Sequence, residues 1–272
     1  MTALVLATTS SLAPAGVPAW LVAGLAGLLG LVVGSFLNVC IYRLPRGQSI
    51  VWPGSRCGAC GRTLRWYENV PVLSWLVLRG RCRTCRAAIS ATYPAVEAAT
   101  GVLFLGGYLV HGLHPLLPVR LTFASLLVVL FVIDLRHRIL PDRITLSGIA
   151  IGLGASVALP PGPASAFAGA ALGGGLLWAI SEGYFRLRGR EGLGFGDVKM
   201  LAMIGAFLGW ELTLLTLFVA SLAGSVAGLA LIATRRGDLQ SALPFGTFLT
   251  IGALVAAGVG DRLVAWYAGL YA

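Results

Sequence analysis

Two aspartates in this 272-residue chain stand where a carboxylate is costly. Asp134 closes the apolar run Leu127-Val128-Val129-Leu130-Phe131-Val132-Ile133, and Asp197 precedes another that extends from Met200 to Trp210. An ionisable group at the edge of hydrocarbon is expensive and points to function by default. Two carboxylates that converge cannot both ionise cheaply, so the pair holds one proton between them. That state suits hydrolysis. The ionised member takes a proton from water and the protonated member polarises a peptide carbonyl, with no nucleophilic side chain and no catalytic metal. No serine or cysteine constellation with a suitable base competes. His111 and His114 fall in an expected outside loop, and His137 reads as a solvated interfacial residue. The structural alternative for each aspartate is an ion pair with Arg136 or Lys199 at a helix end. Asp142, after Leu140-Pro141, reads as the cap of the following helix and is the third choice for the acid pair.

Asp197 belongs to Gly192-Leu193-Gly194-Phe195-Gly196-Asp197-Val198-Lys199, a polar, glycine-dense break between apolar segments. Gly194 and Gly196 lack the Cβ atoms that would hold another backbone away. Close approach of a second element is therefore expected there.

The elements that position these residues are membrane helices. The chain is 57% hydrophobic and 11% charged, with a mean hydropathy of +0.87, which excludes an ordinary soluble domain. Apolar runs predict eight segments, at about 18–42, 93–111, 118–136, 143–159, 164–186, 198–209, 211–233 and 246–268. The sixth, at roughly 18 Å of helix, is short for a crossing. Residues 1–16 read as a loose tail without a removable signal peptide. With the N-terminus outside, all of the 20 Lys and Arg residues except Arg120 and Arg262 lie in or beside the inside loops 43–92, 137–142, 187–197 and 234–245. The formal charge of +10 thus reports topology rather than nucleic-acid binding. Asp134 and Asp197 are then expected at the cytoplasmic ends of their helices. Gly169, Gly173, Gly174 and Gly175, with Gly224 and Gly228, predict close helix packing through small residues.

Residues 43–92 carry Cys57-Gly58-Ala59-Cys60 and, 21 residues later, Cys82-Arg83-Thr84-Cys85. Two such pairs are a four-thiolate zinc spacing. The alternative is two disulfides, which do not persist on the reducing side of the membrane. So short a loop has too little apolar surface to fold unaided, and a metal would supply the fold. Cys40, inside the first span, reads as a small buried hydrophobe. The organisation expected is a tail and first span over 1–42, a zinc loop over 43–92 and a helical core over 93–272.

These residues resemble the prepilin peptidases, the bacterial branch of the Gly-x-Gly-Asp intramembrane aspartyl proteases. The likeness rests on Gly34-Ser35-Phe36-Leu37-Asn38-Val39, Tyr42-Arg43-Leu44-Pro45, both cysteine pairs, Glu68-Asn69-Val70-Pro71, Arg79-Gly80-Arg81-Cys82 and Tyr93-Pro94 with Glu97. It continues through Asp134, Leu140-Pro141-Asp142, Gly194 to Lys199 and Leu243-Pro244-Phe245-Gly246. The resemblance implies an all-α polytopic bundle of about eight transmembrane helices with a cytoplasmic zinc loop. It implies Asp134 and Asp197 as the catalytic dyad, supported by Gly194, Gly196 and Lys199, and Cys57, Cys60, Cys82 and Cys85 as zinc ligands. The implied substrates are type IV prepilins and pseudopilins of type II secretion, cut after a glycine at the cytoplasmic face of the bacterial inner membrane. Relatives with the cysteine loop also methylate the new N-terminus from S-adenosylmethionine, and Gly80 matches a glycine associated with that step. Thr92 departs from the basic residue that relatives commonly carry before Tyr-Pro.

Two other classes compete. A transporter using carboxylates as a proton relay would favour mid-membrane positions and paired repeats, whereas both aspartates sit at one face and no repeat is found. A tethered zinc module binding nucleic acid would leave both aspartates dispensable.

Overall fold

The computed structural model describes residues 16–189, 194–234 and 243–270. The expected N-terminal tail, Gly192, Leu193 and most of the 234–245 loop lie outside them. Among the described residues the chain is all-α, with no strand beyond two isolated bridges, Arg56 with Thr63 and Arg81 with Ala88. The helices are α1 (Ala19–Arg43), α2 (Leu73–Val77), α3 (Thr92–His111), α4 (Leu116–His137) and α5 (Asp142–Ser156). They continue with α6 (Pro163–Arg188), α7 (Phe195–Leu208), α8 (Trp210–Ala233) and α9 (Phe245–Gly269). Six of them, α1, α3, α4, α6, α8 and α9, are long and apolar enough to cross a membrane.

The fourth and sixth expected segments become α5 and α7, of 15 and 14 residues. At 1.5 Å per residue α7 reaches only about 21 Å, short of a ~30 Å hydrocarbon core. Its surroundings explain why it is nevertheless apolar all round from Met200 onward. Met200, Leu201, Met203 and Ile204 are all fully enclosed, so α7 is a core helix surrounded by other helices.

The chain forms two compact units, Met1–Val129 and Leu130–Ala272, with the boundary inside α4. In the first, α1 packs on α3 at backbone contact. A Cβ at Gly30 would lie 2.7 Å from the Thr100 carbonyl oxygen, and one at Gly34 would lie 2.7 Å from Glu97 Cα. In the second, α7 is the centre and α6 lies against it. A Cβ at Gly205 would overlap the Gly169 backbone, and one at Gly173 would stand 2.7 Å from the Leu201 oxygen. The small-residue expectation holds for Gly169 and Gly173. Gly175 faces open space, and Gly224 and Gly228 sit at ordinary contact distance. Cys40 is buried, as its apolar span requires.

Candidate active site

Asp134 lies one turn before the end of α4 and is 4% exposed. Its Oδ2 accepts two hydrogen bonds from Thr247, 2.7 Å from the backbone N–H and 3.1 Å from the hydroxyl. Thr247 is the third residue of α9, so the carboxylate takes an N–H of the first turn, one that also reaches the Pro244 oxygen at 3.2 Å, where a helix presents its positive end.

Asp197 is the third residue of α7, after Gly194 as N-cap. Its carboxylate reaches back to the Gly194 N–H and also accepts from the Gly246 N–H. The first of these is the return arm of a capping box, which places a carboxylate beside the chain start of its own helix. The second ties Asp197 to α9. Two carboxylates, one ending α4 and one opening α7, therefore meet on adjacent amides of a single helix N-terminus. They interact electrostatically there.

Three glycine-linked contacts close this arrangement. A Cβ on Gly246 would lie 3.0 Å from Asp134 Oδ2 and 3.1 Å from Leu140 Cδ1, and one on Gly196 would lie 3.0 Å from Leu140 Cβ. Leu140 is thus wedged between Gly196 and Gly246, which accounts for the close approach expected at the glycine-dense break. Gly194 leaves room for its own helix's carboxylate, since a Cβ there would stand 3.5 Å from Asp197 Oδ2.

The neighbouring ions pair differently from the expectation. Lys199 bonds Asp142, 57 residues away in sequence, and sits 5.1 Å from the Phe195 ring. Asp142 is not the N-cap of α5. Pro141 is, and makes no side-chain cap bond. Asp142 is instead the first residue of α5, and its carboxylate takes Lys199 of α7 as partner. Neither Asp134 nor Asp197 is held in a salt bridge among the described residues, and His137 is exposed. Thr247 and Gly246 went unassigned in the sequence. The signal was Pro244-Phe245-Gly246-Thr247 at the mouth of an apolar run, a proline-led helix start with a hydroxyl donor just after the glycine.

In the other unit, the four cysteine sulfurs lie within 4.8 Å of one another, and Cys57 Sγ is 3.8 Å from Cys85 Sγ. A tetrahedron with ~2.3 Å metal–sulfur bonds has edges of ~3.8 Å. All five cysteines are free thiols. The cluster can hold a metal ion, and its thiol set is what zinc selects. Each pair sits on the same backbone knuckle. Cys57 N–H bonds the Arg62 oxygen and Gly61 N–H bonds the Cys57 oxygen, while Cys82 N–H bonds Ala87 and Arg86 N–H bonds Cys82. Gly61 takes φ +70° for this turn, and Arg86 is forced to φ +60° at the equivalent place. Between the knuckles, Arg62 clasps Glu68 through both guanidinium nitrogens, at 3.0 and 2.7 Å, and Arg65 N–H adds a third bond at 2.8 Å. These donors, Arg62 first, hold the Glu68 carboxyl down at about 2. Its stabilising contribution is complete above the ordinary carboxylate range and is lost only as pH falls toward that value. Gly80, at φ +66°, lies under the Trp75 ring, 2.9 Å from where its Cβ would be.

A bundle of helices apolar enough to cross a membrane, with two carboxylates meeting on one helix N-terminus, has the acid pair that an aspartic peptidase would use. Residues 28–111 match the Bacterial Peptidase A24 N-terminal domain and residues 121–229 match the Type IV leader peptidase family. The chain is 37% identical to the prepilin leader peptidase/N-methyltransferase of Pseudomonas putida, over 89% of this chain and 92% of that one. It is 38% identical to the protein of the same name from Aeromonas hydrophila, over 93% and 95%. To that of Myxococcus xanthus it is 47% identical, over 77% and 63%. No solved structure matches the chain. The chain belongs to the type IV leader peptidase family.

Proposed function

We propose that this protein removes the short basic leader of type IV prepilins and pseudopilins at the cytoplasmic face of the inner membrane, cutting after glycine. It then methylates the new N-terminal amine from S-adenosylmethionine. The observation that carries the first activity is the convergence of Asp134 and Asp197 on the Thr247 and Gly246 amides of α9. Asp134 is the base. Its Oδ2 is occupied by two donors from Thr247, which leaves Oδ1 to take a proton from the attacking water. Asp197 is the acid that polarises the scissile carbonyl and returns a proton to the leaving amine. Gly194, Gly196 and Gly246 keep the two carboxylates close, and Lys199 anchors the start of α7 through Asp142. The apolar helices around them give a hydrophobic prepilin segment a bilayer-matched path.

Cys57, Cys60, Cys82 and Cys85 hold one structural zinc within the 43–92 loop, between the first span and the 93–272 core. S-adenosylmethionine supplies an electrophilic methyl group, and Gly80 serves the transfer by letting Trp75 lie flat on the loop.

The reading is tested by mass spectrometry of a prepilin incubated with the detergent-purified protein and S-adenosylmethionine. Loss of the leader with gain of one methyl group is expected. Several prepilins left intact by a folded, zinc-loaded preparation would sink the peptidase.

Thr247→Val removes the hydroxyl donor but keeps shape and the backbone N–H. Its kcat for leader removal should fall roughly tenfold, the cost of one hydrogen bond to a charged group, with KM unchanged. Gly246→Ala should cost more than Thr247→Val in the same assay, because its Cβ displaces Asp134 itself.

A further inference from the structure

The first unit contains a cavity of about 970 Å³, bounded by the ends of α1 and α3 and by the cysteine loop. That is at the upper end of the size used for cofactor-sized ligands. Cys57 and Cys82 of the cysteine cluster stand on its wall, but the cavity extends beyond the cluster to Ser35 and Asn38 of α1 and to Tyr93 and Glu97 of α3. Glu97, of α3, lines the cavity and is 8% exposed. Its Oε2 accepts from Val72 N–H at 2.7 Å, and its other bond is from the Ser35 hydroxyl. Both donors are neutral. Of the four basic groups on the same wall, three are engaged elsewhere: Arg43 on the Ser49 and Pro53 oxygens, Arg62 on Glu68, and Arg83 on the Tyr67 hydroxyl, while the fourth, Arg56, forms no salt bridge with Glu97. The salt bridges among the described residues do not include Glu97.

Val72, which supplies the shorter bond, holds φ +60°. A β-branched residue in that region is strained, and such strain persists where the surroundings need it. The chain thus bends unfavourably at Val72 to orient a buried carboxylate that lacks a cation. A buried charge of this kind is costly unless it is paired. Trp52 stands on the same cavity and is 77% exposed, an open aromatic face suited to a planar heterocycle.

We infer that this cavity is the binding site of the methyl donor, with Glu97 as counter-ion to the sulfonium of S-adenosylmethionine and Trp52 as the platform for its purine. The inference rests on the proposed use of that donor. The chemistry matches on both counts, since the donor is a cation at sulfur and a flat base at its other end. Its product, S-adenosylhomocysteine, keeps the base and loses the cation.

That difference is the test. Binding of each compound to the zinc-loaded, detergent-purified full chain is measured by isothermal titration calorimetry, for wild type, Glu97→Gln and Trp52→Leu. Glutamine can still accept from Val72 and Ser35, and zinc content checks that each variant keeps its loop. Glu97→Gln should weaken S-adenosylmethionine roughly tenfold, as expected for losing one partly screened charge pair, and leave S-adenosylhomocysteine nearly unchanged. Trp52→Leu should weaken both alike. Equal effects of Glu97→Gln on the two compounds, or none on either, overturn the counter-ion. A wild-type chain that methylates prepilin while Trp52→Leu and Glu97→Gln both bind normally overturns the cavity but leaves the donor standing. A wild-type chain that neither binds S-adenosylmethionine nor methylates prepilin with it overturns the donor and this inference together.

Discussion

Leader removal from a prepilin should fall roughly 10³-fold or more when either Asp134 or Asp197 is replaced by asparagine, and the protein should stay folded. Each substitution should cost nearly the same, and the double variant little more than either, because the two groups act as one unit. The geometry supports retention of the fold. An asparagine oxygen at position 134 can still accept from the Thr247 N–H and hydroxyl. One at position 197 can still accept from the Gly194 and Gly246 amides. What each variant loses is the exchangeable proton. A carboxamide in place of the Asp134 carboxylate cannot take a proton from water, and one in place of the Asp197 carboxyl cannot give a proton to the leaving amine. Steady-state cleavage beside size-exclusion profiles and thermal melts separates this from unfolding. A variant that cuts within tenfold of wild type would remove its aspartate from the mechanism. A variant that neither cuts nor elutes as wild type would mean that the carboxylate has a structural duty at α9.

Much of this site could be read from residue order, and the parts that could not share one physical cause. Asp134 and Asp197 were legible because a carboxylate beside an apolar run is an exception that needs a reason. The cysteine pairs were legible because metal chelation imposes its own short spacing. Gly194 and Gly196 announced a close approach but not its partner, Leu140, which lies in a connection between two other helices. Lys199 pairs with Asp142 across 57 residues, and Thr247 reaches Asp134 across 113. Such partners are chosen by the packing of whole helices, for which local pattern holds no signal. The same limit explains α7. A short apolar run can be a truncated span or a helix enclosed by others, and only the neighbours that bury Met200 and Ile204 decide between them. Glu97 shows the converse. Within the motif Tyr93-Pro94 with Glu97 it was visible as a landmark, but its burial and the absence of a salt bridge to it among the described residues depend on how α3 and the 43–92 loop pack.

On the proposed zinc reading, replacing Cys57 by serine should take zinc content from one ion per chain to none, and methyl transfer should fall much further than leader removal. A neutral hydroxyl is a poor substitute for a thiolate at zinc, and structural zinc contributes on the order of 10–16 kcal/mol in small zinc modules, far more than any contact within this loop can replace. The Arg62–Glu68 clasp is one such contact, and Glu68 is anchored beside the first knuckle that Cys57 begins. Without the ion, the knuckles that wall the cavity beside Glu97 would lose their fixed spacing, so the proposed donor site would go with the metal. The aspartate pair has a different support. Asp134, Leu140, Asp197, Gly246 and Thr247 all belong to Leu130–Ala272, and none of their contacts described here passes through a cysteine. Elemental analysis, limited proteolysis across residues 43–92 and mass spectrometry of one prepilin reaction read the metal, the loop and both activities. A chelator strong enough to strip wild type should reproduce the variant. Full methylation by a zinc-free preparation would show that the loop folds without its metal, and equal loss of both activities would show that leader removal also depends on the zinc loop.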